Sequence, residues 1–396
     1  MNKIVVLGAS ILQVPAIKKA KEMGMFVAVV DYNEAAVGIQ YADRYYNVST
    51  IDEKGVFLAA KDFKADGIMT IATDKPMKSV AYACEKLDLP GITYDTAIKS
   101  TDKIEMMDAF VREDVNHPWF FHLESIFDLN LIEDELDFPC VCKPIDNSGS
   151  RGVILINDPS ELEAAVKFSS TQSPSGSLII EEYLIGDEVS VEIAVVNSIV
   201  HVVAITDKLT SGPPHFVEIG HSEYSTLPVQ DLRKIKELAI KACQAVGITD
   251  GVAHVEIILT DEGPKIVELG ARLGGGFITS HLVPLSTGVD LVKATIQIAL
   301  GEKPDLTPKL SCGSAIRFFP VKRGKITKIS GLEEAHQITG VKKIGFFKGV
   351  GDMVDEVKSS DDRVGYVITQ ANNPEKAISL CERVLELVTI DVAAKN

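Results

Sequence analysis

Two glutamates, Glu256 and Glu268, stand in the stretch HVEIILTDEGPKIVELGARLGGG, residues 254–276, at a spacing that a hairpin turns into opposition. With Asp261, Glu262 and Gly263 as a three-residue loop and Gly263 at positive φ, Thr260 pairs with Pro264 and Glu256 faces Glu268. Cross-strand Cβ atoms lie about 4.5–5.5 Å apart, so opposed carboxylates repel unless they are solvated, protonated or bridged by a cation. A divalent metal turns that cost into a site. Ile258 and Ile266 share the face in this register. Arg272 follows four residues after Glu268, and Gly274, Gly275 and Gly276 then let a backbone approach a ligand closely. Carboxylates for a hard metal, a permanently charged guanidinium and an open loop are the parts of a phosphoryl-transfer site. The plain alternative is the wet face of an ordinary antiparallel ribbon.

Such a site needs residues that hold a nucleotide. STDKIEMM, residues 100–107, starts a helix with Thr101 or Asp102 as N-cap and Lys103 in its first turn, where a cation opposes the helix dipole. FPCVCKPIDNSGSRG, residues 138–152, reads as a strand, a Gly/Ser loop and a second strand from Val153 to Ile156. This is a hairpin flap, not the strand–loop–helix of a P-loop. Its amides at Ser148, Gly149, Ser150 and Gly152 suit phosphate oxygens, and Lys143 at the strand end supplies a point charge. Many Gly/Ser hairpin tips bind nothing. SLIIEEYLIGDEVSVEI, beginning at Ser177, is a strand, a bend at Gly186 and a second alternating strand. The backbone from Glu182 to Leu184 is placed to read a flat base edge and Glu188 to accept from ribose hydroxyls; the alternative for Glu181 and Glu182 is two solvated acids before a turn. The stretch from Thr210 to Pro228, TSGPPHFVEIGHSEYSTLP, reads as a long irregular loop in which Glu218 and His221 are the candidates for work.

The elements that must position these residues follow from pattern. Residues 3–31 read strand, glycine turn, amphipathic helix and strand ending in Asp31, the βαβ opening of a doubly wound domain. Gly8 is followed by no completing G-x-G-x-x-G, which argues against nicotinamide binding. A strand over Gly67–Thr73, a helix from Pro76 to Leu87 and an apolar segment Leu89–Thr93 complete this part, so the first domain closes near residue 95. A strand from His201 to Lys208, a helix from Asp231 to Val246 and one further helix from His281 to Leu300 are expected around the central hairpin. After Ser311 short strands and a helix from Pro374 to Leu387 make a small α+β domain.

With 396 residues, 46% hydrophobic and 24% charged, the chain is ordinary globular material with room for two or three domains. Its net charge of −16 argues against wrapping nucleic acid or lying on an anionic membrane, while leaving room for a local basic pocket. Six cysteines form no C-x-x-C pair, and Cys140 with Cys142 cannot complete a zinc shell. The N-terminus opens on a strand, without a basic n-region or long apolar run, which gives a cytoplasmic expectation.

Taken in order, a βαβ domain, S-T-D-K, K-P with a Gly/Ser flap, E-E-Y-L-I-G-D-E-V-S-V-E, and two glutamates before an arginine resemble the ATP-grasp superfamily across nearly the whole chain. EIGHSEYSTLP with ELGARLGGG resembles its carboxylate–amine ligases, which include L-amino-acid ligases. The resemblance implies a Rossmann-like pre-ATP-grasp domain over 1–95, a two-lobed α+β ATP-grasp domain over 96–305 and a small α+β domain over 306–396. It implies ATP with magnesium, or manganese, as cofactor. Lys103 and Lys143 would hold the α- and β-phosphates and the loop from Ser148 to Gly152 would cover the γ-phosphate. Glu181, Glu182, Tyr183 and Leu184 would take adenine, Glu188 the ribose, and Glu256 and Glu268 the metal. Arg272 would act on the transferring phosphoryl group, and Glu218, His221, Arg272 and Gly274–Gly276 would shape the acid pocket. One departure is visible: many relatives carry asparagine two residues after the second glutamate, and Gly270 stands there.

The implied reaction is attack of a carboxylate on the γ-phosphate, then amide formation by an amine, with no protein nucleophile. The alternatives are a purine-pathway or biotin-carboxylase-like enzyme acting on bicarbonate or formate, and an ATP-binding regulatory protein without chemistry. The partners expected are a small carboxylic acid and an amine, with no nucleic acid and no membrane, in a homodimer by base rate.

Overall fold

A computed structural model describes residues 1–147, 149 and 151–393. The strands Lys3–Leu7, Phe26–Asp31, Arg44–Asn47 and Gly67–Met69 form a parallel sheet, with Lys3–Leu7 and Phe26–Asp31 at its centre. One face buries Ile4, Val6, Val27 and Val29 against the helices Val14–Glu22 and Leu291–Ala299; the other buries Val5, Leu7 and Val30 against Glu53–Phe63 and Met77–Leu87. Near-continuous apolar strands are what a doubly covered parallel sheet requires. The turn after the first strand is filled from within: Ser10 N and Oγ donate to Gln13 Oε1, while Gln13 Nε2 donates to the Ile71 carbonyl. Asp31 at the second strand end accepts from Ala9 N and Asn33 N, so its oxygens are spent on the turn. Leu89–Thr93 is irregular and leads into the short helix Tyr94–Lys99.

A four-stranded antiparallel sheet follows, in the order Phe120–Leu123, Leu178–Glu182, Cys140–Pro144, Ile154–Ile156, backed by the helix Leu162–Thr171. Its cysteines are buried and free.

The largest sheet has eight strands, in the order Gly263–Gly270, Gly251–Thr260, Asp187–Val196, Ile199–Thr210, Glu218–Glu223, Gly313–Phe318, Gly365–Ala371 and Val341–Phe346. It runs without a break past residue 306, so strands from the C-terminal part extend the sheet that holds the central hairpin. On one face Val191, Ile193, Val255, Ile257 and Leu269 pack on Ile235, Leu238 and Ala242 of the helix Val229–Val246 and on Met106, Met107 and Phe110 of Lys103–Arg112. The opposite face carries Glu188, Ser190 and Glu192 on one strand, with His254 and Glu256 beside them, and Thr206 and Lys208 on the other side. Strand alternation puts these polar residues together, and only a partner-rich site can hold so many below water's reach.

Two expectations change. The stretch from Thr210 to Pro228 contains the strand Glu218–Glu223, held between its neighbours by backbone ladders on both sides. The stretch from His281 to Leu300 is not one helix: a π-turn over Ile278–Leu282 runs into Val283–Thr287, which stops at Gly288 at φ +73 before Leu291–Ala299 begins. Gly288 is the left-handed stop that a helix C-terminus favours. No helix among the described residues is long and apolar enough to cross a membrane.

Candidate active site

Glu256 does face Glu268, but by a different route from the one the hairpin pattern predicts. The turn has two residues, Asp261 and Glu262, so Thr260 pairs with Gly263 and Leu259 with Pro264. The ladder shifts between Ile257, which pairs with Ile266, and Glu256, which pairs with Glu268. Val267 is the extra residue of a bulge. Its consequence is local: Ile266, expected beside the glutamates, is fully buried in the core, and Val267 lines the cavity with Ile258 instead.

That cavity, of about 450 Å³, lies between the four-stranded sheet and the polar face of the eight-stranded one. Val141, Val153, Leu184, Ile258 and Val267 give it apolar walls at the end where the backbone from Glu181 to Leu184 lies. A flat apolar slot beside free backbone edges suits a heteroaromatic base. Tyr183 also lines it and meets the ring of Phe216 at 6.1 Å.

Charge is concentrated deeper in. Lys143 Nζ is 2.5 Å from Glu181 Oε1, both buried. Burial pulls the lysine pKa down, but Glu181 and then Glu268 outweigh it and raise it, so the ammonium stays charged. Glu182 instead pairs with Lys265 at 2.8 Å. Asp102 caps the helix Lys103–Arg112 by accepting from Ile104 N and Glu105 N. That cap delivers Lys103 Nζ to the Asn147 carbonyl at 2.9 Å and to Glu268 Oε1 at 3.3 Å, which is the reason for a cation in the first turn. Gly149 lines the cavity; Ser148 and Ser150 lie outside the described residues. Gly152, at φ +81, stands behind the flap against Pro144 and Gln172, and its carbonyl accepts from Ser169 Oγ.

Glu256 is engaged at both oxygens. His254 Nε2 is 3.3 Å from Oε1 and Lys208 Nζ is 2.9 Å from Oε2. Burial pushes its pKa up, but Lys208 and His254 override this and hold it far below the carboxylate range. His254 is fixed in turn by Glu192, 2.6 Å from Nδ1. Burial opposes its charge, yet Glu192 lifts its pKa to about 9. H-x-E on alternate residues of one strand was a readable signal for this support. Lys208, which no motif in the sequence marks, also reaches Glu188 Oε1 at 2.5 Å and Glu218 Oε1 at 3.4 Å.

Glu218 and His221 share a face because the ladder shifts between Leu209 and Thr210, leaving Ile219 unpaired. Glu218 lines the cavity; His221 is wholly buried behind it, 3.6 Å away. Burial raises the Glu218 pKa, but Lys208 and His221 dominate and set it well below the usual range. Arg363, from the far end of the chain, donates to Glu218 Oε2 at 3.0 Å and lies 4.0 Å over the Phe318 ring. No motif announced it.

Arg272 closes on Asp74 of the N-terminal part, with Nε 2.8 Å from Oδ1 and an Nη2 bond of 2.9 Å to Oδ2. It does not line the cavity. Gly270 makes room for that pair, since a Cβ there would lie 2.6 Å from Asp74 Oδ1. Gly274 and Gly276 are also packed rather than open: a Cβ on the first would sit 2.4 Å from His254 Nδ1, and one on the second 2.9 Å from His221 Nε2. Only Gly275 has free space beside it among the three.

The donor set suits magnesium held through nucleotide. Among the described residues no group of three or more His, Cys, Asp or Glu side chains is arranged to hold a metal ion alone. Magnesium is commonly held by one or two carboxylates together with phosphate oxygens, and Glu256 opposite Glu268 offers that number.

A cleft with an apolar slot, buried lysines and opposed carboxylates has the parts that a nucleotide-dependent phosphoryl-transfer site requires. Residues 136–281 match the ATP-grasp domain family and residues 317–393 match the L-amino acid ligase C-terminal domain 2 family. The L-arginine-specific L-amino acid ligase of Bacillus subtilis is 24% identical over 320 residues, covering 78% of this chain and 77% of that protein. The structure of an L-amino acid ligase from Bacillus licheniformis superposes over 100% of this chain and 99% of its own, with a TM-score of 0.88 and 23% identity. The biotin carboxylase domain of the Hydrogenobacter thermophilus 2-oxoglutarate carboxylase, in complex with MgADP and bicarbonate, covers 99% of this chain and 91% of its own at a TM-score of 0.78 and 18% identity. The chain thus carries an ATP-grasp domain over residues 136–281 and an L-amino acid ligase C-terminal domain over residues 317–393.

Proposed function

We propose that this enzyme joins the carboxylate of one amino acid to the amine of a second in an ATP-dependent ligation, through an acyl phosphate, releasing ADP and phosphate. The observation that carries this reading is the convergence of Lys103, Lys143, Glu188, Glu256, Glu268 and Glu218 on one cavity. The two family matches and the amino-acid ligases among the relatives support it.

Each residue then has a task. The slot beside Glu181, Glu182, Tyr183 and Leu184 takes adenine, and Glu188 accepts from the ribose. Lys103 and Lys143 carry the phosphates, with Gly149 of the Gly/Ser flap lining the cavity beside them. Glu256 and Glu268 hold magnesium, which when bound neutralises charge on the transferring group. His254, clamped by Glu192, keeps Glu256 ionised and aimed. Glu218, held ionised by Lys208, His221 and Arg363, presents a fixed negative charge to the ammonium of the acid substrate. Arg272, locked by Asp74, contributes its positive field near the glutamates. Preorganised charge of this kind costs no rearrangement during the reaction. The carboxylate oxygen attacks phosphorus, ADP leaves, and the incoming amine then displaces phosphate.

The test is a phosphate-release screen over pairs of amino acids, with parallel arms for bicarbonate and formate and mass spectrometry of products. This reading predicts release only with an amino-acid pair and a product equal to both acids less one water. Release with bicarbonate or formate and no dipeptide would reassign the enzyme to the carboxylating or formylating side of the fold.

A further inference from the structure

Lys208 is the cation around which the inner cavity closes. Its side chain is only 4% exposed, and its ammonium touches carboxylates that stand on three strands: Glu188, Glu256 and Glu218. Three carboxylates this close repel unless a cation lies between them. In the free protein the lysine does that work, and it occupies the Glu256 oxygen that His254 leaves available.

On the metal assignment proposed above, we infer that Lys208 is a resident counter-ion that holds the place of the divalent metal on Glu256, keeps bare metal out, and yields when metal arrives with nucleotide. The asymmetry follows from charge. A bare dication must push the ammonium off Glu256 and then stand beside it, like charge against like in a region of low dielectric. A metal carried on a nucleotide brings anionic phosphate oxygens, and these give the displaced ammonium a new partner. A lysine suits the part because its charge sits at the end of a flexible four-carbon stem. Glu188 and Glu218 keep the moving ammonium within the cavity. Lys208 is thus a positioning residue that orders metal loading after nucleotide.

The test uses Mn²⁺ alone as probe, with free ion followed by electron paramagnetic resonance in the absence of nucleotide. Lys208→Met and Lys208→Gln should bind Mn²⁺ roughly tenfold or more tightly than wild type, because the competing charge is gone, while Lys208→Arg should match wild type. Equal or weaker Mn²⁺ binding by folded Lys208→Met overturns the inference. If the neutral variants do not fold without metal, their melting with Mn²⁺ becomes the readout: recovery of a cooperative transition supports the exchange of one cation for another, and no recovery overturns it. Wild type titrated with Mn²⁺ plus ATP separates the two levels. Failure to bind there removes the metal assignment itself, whereas normal binding there with unchanged variants removes only the role of Lys208.

Discussion

Glu256 opposes Glu268 because Val267 is squeezed out of the ladder between them and the turn. The bulge sets the whole site: it turns Glu268 toward Lys103 and Val267 toward the cavity while Ile266 stays in the core. Deleting Val267 would close the ladder without shifting it, Ile266 staying opposite Ile257 and Glu268 opposite Glu256. Removing the carboxylate itself is the sharper change: with Glu268→Gln we expect ATP-dependent phosphate release to fall at least about 100-fold, a loss typical of removing preorganised charge stabilisation. Steady-state assay checks this, and circular dichroism should still report a folded chain.

Gly274 is the backbone against which the His254–Glu192 pair rests. An alanine Cβ there would lie 2.4 Å from His254 Nδ1 and 3.1 Å from Glu192 Oε1, both buried. Gly274→Ala should cost about 1–3 kcal/mol of stability by overpacking. It should also weaken binding of the metal–nucleotide complex, because His254 can no longer aim Glu256. Chemical denaturation and calorimetric titration measure the two effects separately.

Arg363 ties the C-terminal part to the acid-substrate side of the cavity through Glu218. Removing this buried cation loosens the Glu218 carboxylate and leaves Lys208 and His221 to hold its charge. Arg363→Met should raise KM for the acid substrate roughly tenfold or more, with KM for ATP little changed, since the Glu188 and Lys143 contacts do not involve it. Equal rises in both constants would place the effect on the fold rather than on the substrate.

Glu223 gives a pH signature. It is wholly buried, accepts from Thr206 Oγ1 at 2.7 Å and Ser286 Oγ at 2.6 Å, and burial lifts its pKa from 4.5 to about 8 against those bonds. The folded chain thus keeps a proton that the unfolded chain releases. Its stabilising contribution is full below about pH 4.5 and is lost as pH rises through about 8. Wild type should lose melting temperature from about pH 6 to about pH 9 more steeply than Glu223→Gln, which has no proton to lose. Parallel thermal scans across that range decide it.

The local parts of this site were legible because local rules govern them. Asp102 as an N-cap, Lys143 at a strand end, the bend before Glu188 and the opposition of two glutamates follow from spacing along the chain. The hairpin pattern reaches the right opposition through a compensation: it gives the turn one residue too many, and the bulge restores the same offset. The loop assigned to Thr210–Pro228 hid the strand Glu218–Glu223, since its prolines and glycines mask a segment that only its neighbours at Ile199–Thr210 and Gly313–Phe318 stabilise. Lys208, Asp74 and Arg363 were not legible for a related reason. Their meaning lies in partners 10 to 198 residues away, brought together by sheet order, and no single-strand pattern encodes that.

Transfer of the γ-phosphoryl group to a substrate carboxylate leaves an isotopic record. An amino acid labelled with ¹⁸O in its carboxylate, supplied with ATP, magnesium and a second amino acid, should place one ¹⁸O in each phosphate released and yield one dipeptide per phosphate, both read by mass analysis. Unlabelled phosphate, with or without a product, would mean that the carboxylate is not the acceptor.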